Sequence, residues 1–239
     1  MKVTLLGTGD AIGTPKIGCS CPVCTGARRA GRQRLRAAVL VEVREKHILV
    51  DTGPDLRAQL IAAGSPHIDA VIWTHGHYDH FMGYGEFYRV QKVPPVYAAA
   101  PTLGYAGSVF SFLPLEGHSV EPYRPFALFG ATVTLLTVDH PPMPTYGVRI
   151  EHDGAVLALT SDTNDRMPAA TKEALAGADL LVLDAIVPPG YTITKHMNYA
   201  DALKMAAELR PKDFRCTHAS HLIPWDTPHL AMDGETFEL

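Results

Sequence analysis

Apolar residues in this chain come in short blocks separated by glycine, proline and charged positions. Blocks of strand length, rich in Val, Ile and Leu, fall at residues 3–6, 38–43, 47–50, 70–73, 132–138, 147–150, 155–159, 180–183 and 214–217. Between some of them the apolar spacing becomes helical, over 55–63, 83–90, 168–176 and 199–210. Asn198 is placed to cap the last of these helices and Pro211 to stop it. The order is not a regular strand–helix alternation. Runs of strands precede single helices, and the pattern starts again after about residue 130. That predicts two mixed sheets facing each other with helices outside, an α/β (α+β) architecture in which residues 1–239 form one domain. Proline-rich breaks at 93–95, 140–144 and 187–190 read as loops inside that domain.

Chemistry begins where the fourth block ends. Asp69-Ala70-Val71-Ile72-Trp73 runs directly into Thr74-His75-Gly76-His77-Tyr78-Asp79-His80. In a chain with twelve histidines any single one is ordinary, but three imidazoles and a carboxylate within six positions are costly to desolvate without a cation. Side chains at i and i+2 leave a strand on the same side, so His75 and His77 can converge on one metal. Asp79 and His80 lie past a bend and can reach a second, at the spacing of about 3.5–4 Å usual for paired ions. Two metals need further ligands, and His140, Asp162 and His218 each stand where a later strand meets a loop.

Composition adds limits. With 46% hydrophobic and 19% charged residues the chain can bury a large core. A net charge of −4 argues against non-specific coating of nucleic acid and for small partners. The apolar run at the N-terminus is too brief for a signal-peptide core or a bilayer span, so the expectation is a cytoplasmic protein with no membrane association. Three of the four cysteines lie in Cys19-Ser20-Cys21-Pro22-Val23-Cys24, a spacing suited to three corners of a tetrahedral zinc site. His221, three residues beyond His218, is the candidate fourth ligand, and the knuckle occupies about residues 18–36. Five arginines follow in nine positions, from Arg28 to Arg36. Arg34 and Arg36 are candidates to hold a substrate phosphate, with contacts to RNA phosphate as the other use of such a run.

In order, Leu49-Val50-Asp51-Thr52-Gly53, His75-x-His77-x-Asp79-His80, His140, Asp162 and His218 resemble the metallo-β-lactamase superfamily along essentially the whole chain. The resemblance implies a four-layer αβ/βα sandwich with two metals at one edge between the sheets. It implies that His75, His77 and His140 hold the first metal and that Asp79, His80 and His218 hold the second. Asp162 would bridge both, and Asp51 would buttress them from behind. Lactam-cleaving relatives carry a cysteine at the position of Asp162, and redox di-iron relatives usually carry an acid for the second motif histidine. This chain has neither change, which points to phosphodiester or thioester hydrolysis. Two divalent ions, two carboxylates and a bridging hydroxide leave the site positive by about one charge, suiting an anionic substrate.

Gly7-Thr8-Gly9, Gly18-Cys19-x-Cys21-x-x-Cys24 and Thr217-His218-x-x-His221 resemble, more narrowly, the PhnP phosphodiesterases of phosphonate catabolism. That resemblance implies a Cys3His structural zinc beside the two-metal site. It also implies cyclic ribose phosphates as substrates, namely phosphoribosyl 1,2-cyclic phosphate or 2′,3′-cyclic nucleotides, and is compatible with a homodimer. A sister family of pyrroloquinoline quinone biosynthesis shares the knuckle but usually lacks the intact histidine motif. The expected mechanism is attack by a hydroxide held between the metals, with Asp79 in the catalytic set and His196 protonating the leaving oxygen. The catalytic donors are nitrogen and oxygen, acceptable to Zn²⁺, Mn²⁺ or iron. Two other readings use the same residues. One is an RNA-processing metallo-nuclease, which normally carries a long basic arm not found here; the other is a non-catalytic metal-dependent binding protein.

Overall fold

Residues 1–239 are described by a computed structural model. Strands β1 (Lys2–Gly7), β2 (Ala38–Val43) and β3 (Lys46–Val50) form an antiparallel meander. To it β4 (Ala70–Ile72), β5 (Val96–Ala98) and β6 (Gly117–Ser119) add in parallel. The same plan then repeats. Strands β7 (Phe126–Leu128), β8 (Ala131–Val138), β9 (Thr145–His152) and β10 (Ala155–Leu159) form a second meander. Strands β11 (Leu180–Asp184) and β12 (Asp213–Thr217) add to it in parallel. Finally β13 (Glu235–Glu238) returns to the first sheet and pairs antiparallel with β1, Val3 opposite Phe237. The sheets thus have seven and six strands, and the restart expected near residue 130 falls at β7.

Side-chain alternation sorts these strands into layers. Val39, Val41, Ile48, Val50, Ala70 and Ile72 point between the sheets, where they meet Val133, Leu135, Val148, Ile150, Leu157 and Val182. The intervening residues point outward. Leu40, Leu49, Val71 and Trp73 pack under α2 (Leu56–Ala62) and α4 (Ala100–Val109). Ala158, Leu181 and Leu183 pack under α5 (Ala169–Leu175) and α6 (Tyr199–Leu209). Both faces of each sheet are buried, so the central strands read as continuous apolar runs. The result is the four-layer αβ/βα sandwich. No helix is long and apolar enough to cross a membrane.

Asn198 caps α6 as expected, its side-chain oxygen accepting from the Asp201 amide at 3.0 Å. The helix ends on Arg210 in the left-handed region, φ 50°, just before Pro211. One helix is corrected. The stretch 83–90 is not α-helical; Met82–Phe87 forms a 3₁₀ turn instead. At Gly83 a Cβ would collide with the Gly53 carbonyl, so the apolar spacing there reflects a tight backbone approach rather than helical periodicity. The elements not expected are α1 (Pro22–Ala30) inside the knuckle, the single turn α3 (Tyr78–Phe81), α4, and the short strands β5, β6, β7 and β13. Strands of three or four residues are too short to show a period, and α4 contains two glycines and a proline.

Candidate metal centre

Strands β8, β10, β11 and β12 run in one direction, and the loops at their carboxyl ends meet the loop that follows β4 along one edge of the sandwich. In open α/β sheets the carboxyl end is where sites are built. His75 and His77 follow β4, Asp79 and His80 lie on α3, and His140, Asp162 and His218 follow β8, β10 and β12. Gly76 lets the loop pass against the Tyr105 ring, which lies 2.7 Å from where a Cβ would stand.

The structure brings all seven residues together in two cages sharing one carboxylate. In the first, His77 Nδ1 lies 3.1 Å from His75 Nε2 and 3.2 Å from His140 Nε2. Asp162 Oδ2 stands 3.6 and 4.0 Å from those two Nε2 atoms. In the second, the same Asp162 oxygen lies 3.4 Å from both His80 Nε2 and His218 Nε2. Asp79 Oδ2 lies 3.3 and 3.5 Å from that pair. A tetrahedral ion with bonds of roughly 2.0–2.1 Å needs ligand atoms about 3.3 Å apart, so both cages have the right edge length.

Outer hydrogen bonds fix which nitrogen faces inward. Asp51, 5% exposed, accepts from His80 Nδ1 at 2.7 Å, and from the Thr74 amide and hydroxyl at 2.8 Å each. The Thr74 oxygen in turn accepts from His75 Nδ1 at 3.0 Å. His140 Nδ1 donates to the Lys195 carbonyl at 3.0 Å. With their Nδ1 atoms donating, His75, His80 and His140 aim Nε2 lone pairs into the cages. Asp51, expected as a buttress, thus bonds to His80 directly and to His75 through Thr74.

The electrostatics favour a cation. Burial drives His75 well below the ordinary histidine range, and burial lowers His77 and His140 too, so these imidazoles are neutral. Burial opposes charge on His80 and His218 as well, but carboxylates outweigh it. Asp162, Asp79 and Asp51 hold His80 well above its usual value, and Asp162 and Asp79 raise His218 to about 9. Asp79 and Asp162 are correspondingly held far below the usual carboxylate range, against their burial, by His80 and His218. His80 Nε2 and both nitrogens of His218 are buried without a hydrogen-bond partner. Orphaned inward nitrogens beside two charged carboxylates fit divalent ions, and the donor set suits zinc or manganese.

The knuckle closes in the same manner. His221 Nδ1 lies 3.6 Å from Cys19 Sγ and 3.5 Å from Cys21 Sγ, and Cys24 completes the group. Zinc bonds of about 2.3 Å to sulfur and 2.0 Å to nitrogen place such atoms about 3.6 Å apart. The His221 contact pulls the Cys21 thiol down to about 6, while burial pushes Cys24 up to about 11. Three thiols and an imidazole at that spacing fit a tetrahedral metal site. The two centres are joined by one loop, which carries His218 and His221.

His196 stands beside the second cage, its ring 5.0 Å from that of His218 and nearly parallel to it. Its Nδ1 donates to Asp184 Oδ2 at 2.7 Å. Asp184, fully buried as the last residue of β11, was not among the residues expected from the sequence. The signal was present, since Leu180-Leu181-Val182-Leu183-Asp184 puts an acid at the end of a buried strand as Asp162 does.

Arg34 and Arg36 are corrections. Arg34 is 1% exposed and donates to the carbonyls of Ser220, Ile223 and Pro224. Arg36 pairs with Asp55 at 3.0 Å and donates to the Ala11 carbonyl. Neither lines the cavity over the cages, which measures about 330 Å³. A larger groove of about 670 Å³, between α2 and β13, contains none of the ligands, so size does not mark the chemistry.

An αβ/βα sandwich with paired His/Asp cages at its strand ends has the architecture of the metallo-β-lactamase class. The model of the Beta-lactamase superfamily domain matches residues 46–219, and the chain belongs to that superfamily, as a PhnP-like member. A crystal structure of a diphosphatase from the PhnP family superposes with a TM-score of 0.87 at 31% identity, covering 99% of this chain and 96% of that one. Zinc-bound PqqB from Methylobacterium extorquens covers all of both chains with a TM-score of 0.86, and at 24% identity shares the fold. Ribonuclease Z of Mycobacterium sp. (strain KMS) is 30% identical over 244 residues, covering 87% of this chain and 79% of the relative. An octanoyltransferase of Porphyromonas gingivalis is 28% identical along 96% of this chain, which spans only 48% of that protein. The diphosphatase and ribonuclease Z are hydrolases, and the paired cages of this chain are those of a metal-dependent hydrolase.

Proposed function

We propose that the chain hydrolyses small cyclic phosphodiesters, of the kind represented by phosphoribosyl 1,2-cyclic phosphate or 2′,3′-cyclic nucleotides, with two divalent ions in the cages and a structural zinc in the knuckle. The observation that carries this reading is the shared Asp162 oxygen, within 4.0 Å of ligand nitrogens from both cages. It supports two cation positions side by side, with no thiolate in either.

Bound ions supply Lewis acidity toward a phosphoryl oxygen and lower the pKa of water. The chain supplies the rest. Asp51 locks His75 and His80 in one orientation, so the donors need no reorganisation as charge develops. Asp184 holds the Nδ1 proton of His196, leaving Nε2 to carry a proton to the departing alkoxide. That pairing strengthens the assignment of His196 over an ordinary loop histidine. The small cavity suits a nucleotide-sized ligand.

Metal analysis followed by turnover of bis(p-nitrophenyl) phosphate, then of cyclic against linear diesters, tests the reading. Preference for cyclic substrates is expected, and loaded protein without turnover indicates a binding protein instead. The 30% identity to ribonuclease Z supports a second reading, cleavage of RNA. In that case Arg28, Arg29 and Arg32, exposed at the end of α1, provide the phosphate contacts, and precursor tRNA is cleaved in preference to cyclic nucleotides.

A further inference from the structure

Cys21-Pro22-Val23-Cys24 stands at the start of α1, with Cys21 as its N-cap and Cys24 one turn in. The Cys24 amide donates to Cys21 Sγ at 3.4 Å, which places that sulfur at the positive end of the helix. The two Sγ atoms lie within 4.8 Å of each other. Burial sets them apart. Cys21 is partly exposed, between the exposed Ser20 and Pro22, whereas Cys24 is 0% exposed and its sulfur accepts from the Lys16 amide at 3.3 Å. A reachable sulfur at a helix N-terminus, with a second sulfur held behind it at Cys-x-x-Cys spacing, is an arrangement that supports reversible thiol oxidation.

The other cysteines are placed differently. Cys19 is also partly exposed, but its sulfur is turned toward His221 Nδ1 at 3.6 Å, and one residue separates it from Cys21. Cys216 lies on β12 in the core under α6, 0% exposed and out of reach of an oxidant in the folded protein.

We propose that Cys21 and Cys24 form an oxidant-sensitive dithiol, with hydrogen peroxide as its oxidant and release of the knuckle zinc as its result. The Cys21 sulfur attacks one peroxide oxygen and the O–O bond breaks, leaving a sulfenic acid on Cys21 and one water. The Cys24 sulfur then attacks the Cys21 sulfur; the S–S bond forms, the S–O bond breaks and a second water leaves. The sulfurs lose two electrons and the peroxide gains them, with two protons from solvent where the sulfurs begin as metal thiolates. Only Cys19 and His221 then remain of the four corners, too few for a structural zinc. His221 shares its loop with His218, so oxidation loosens a ligand of the second cage, while Arg34 keeps hold of the Ser220 and Ile223 carbonyls between and beyond them. The inference goes beyond the hydrolytic reading and rests only on zinc in the knuckle.

The test starts from metal-loaded protein assayed for zinc before treatment, so that failure of the zinc reading shows on its own. After exposure to hydrogen peroxide, peptide mapping without reductant, zinc release to a chromogenic chelator and turnover of bis(p-nitrophenyl) phosphate are followed together. The expected result is a Cys21–Cys24 bond, about one zinc released per chain in step with it, Cys216 still reduced, and turnover lowered about tenfold, all reversed by dithiothreitol with added zinc. Cys19→Ser should still form the bond, and Cys24→Ser should stop at a sulfenic acid on Cys21 that dimedone traps. Mapping of the wild type decides the matter where a variant fails to fold. A Cys19–Cys21 bond, oxidation of Cys216 first, or zinc retained after the Cys21–Cys24 bond has formed overturns the proposal. Unchanged turnover in fully oxidised protein overturns its reach to the second cage. Protein that never holds the zinc removes the zinc reading, and the mapped bond then decides the dithiol alone.

Discussion

Arg34→Ala separates a structural arginine from a substrate-binding one. The Arg34 guanidinium donates to the Ser220 and Ile223 carbonyls at 3.1 Å each and to the Pro224 carbonyl at 3.4 Å, and it lies 4.1 Å over the Trp225 ring. Burial lowers its pKa to about 10, opposed by the Asp233 and Asp10 carboxylates, so it remains charged at neutral pH. Truncation leaves three carbonyls without their donor, at roughly 1–1.5 kcal/mol each, while relieving the fold of a buried charge. Loss of the cation–π contact adds about 1 kcal/mol. A net destabilisation of about 3 kcal/mol is expected, which for a chain of this length is about 6–12 °C in Tm. The loop it holds carries His221, so zinc content should fall together with Tm. Differential scanning fluorimetry, zinc analysis and steady-state kinetics on the folded protein form the assay. Arg34→Lys keeps the charge without the planar fork and should recover only part of the Tm. An unchanged Tm with KM raised tenfold would refute this reasoning and restore Arg34 as a phosphate ligand.

His196→Ala should cut turnover of a cyclic phosphate by about 10²–10⁴-fold and that of a nitrophenyl ester far less, because nitrophenolate leaves without a proton. Asp184→Asn should follow the same pattern, and equal losses on both substrates would reject the acid role. Cys21→Ser should lose zinc and also slow turnover through the loop from His218 to His221; full activity in zinc-depleted protein would show that the two centres are uncoupled. Stripping the metals should expose a pH dependence of stability. The folded pKa of His218, near 9, lies above its unfolded value of 6.5, so its stabilising contribution is complete below about pH 6.5 and is lost as pH rises through 9. The Tm of stripped protein should therefore fall over that interval while that of loaded protein does not, and a flat stripped profile would contradict the charge balance described for the second cage.

The sequence by itself singled out the candidate ligands and most of the strands. His75, His77, Asp79 and His80 are legible because four donors packed behind an apolar strand are hard to accommodate without a cation, and His140, Asp162 and His218 because each follows a buried run. Continuous runs of four or more apolar residues marked the long strands for a similar local reason, whereas β5, β6 and β7 were too short to stand out. Asp184 had a local signal that resembled every other strand end, and its partner 12 residues away gave it meaning. The arginines had none. Arg34 is consumed by carbonyls 186 to 190 residues distant, and Arg36 by an aspartate 19 residues on. Tertiary structure alone decided which nitrogen of each histidine faces the cages, and that one oxygen of Asp162 lies beside both. Ligand chemistry belongs to the residue type and survives in the sequence. Partner choice belongs to the competition among donors and acceptors brought together by packing, and it exists only once the two sheets have closed on each other.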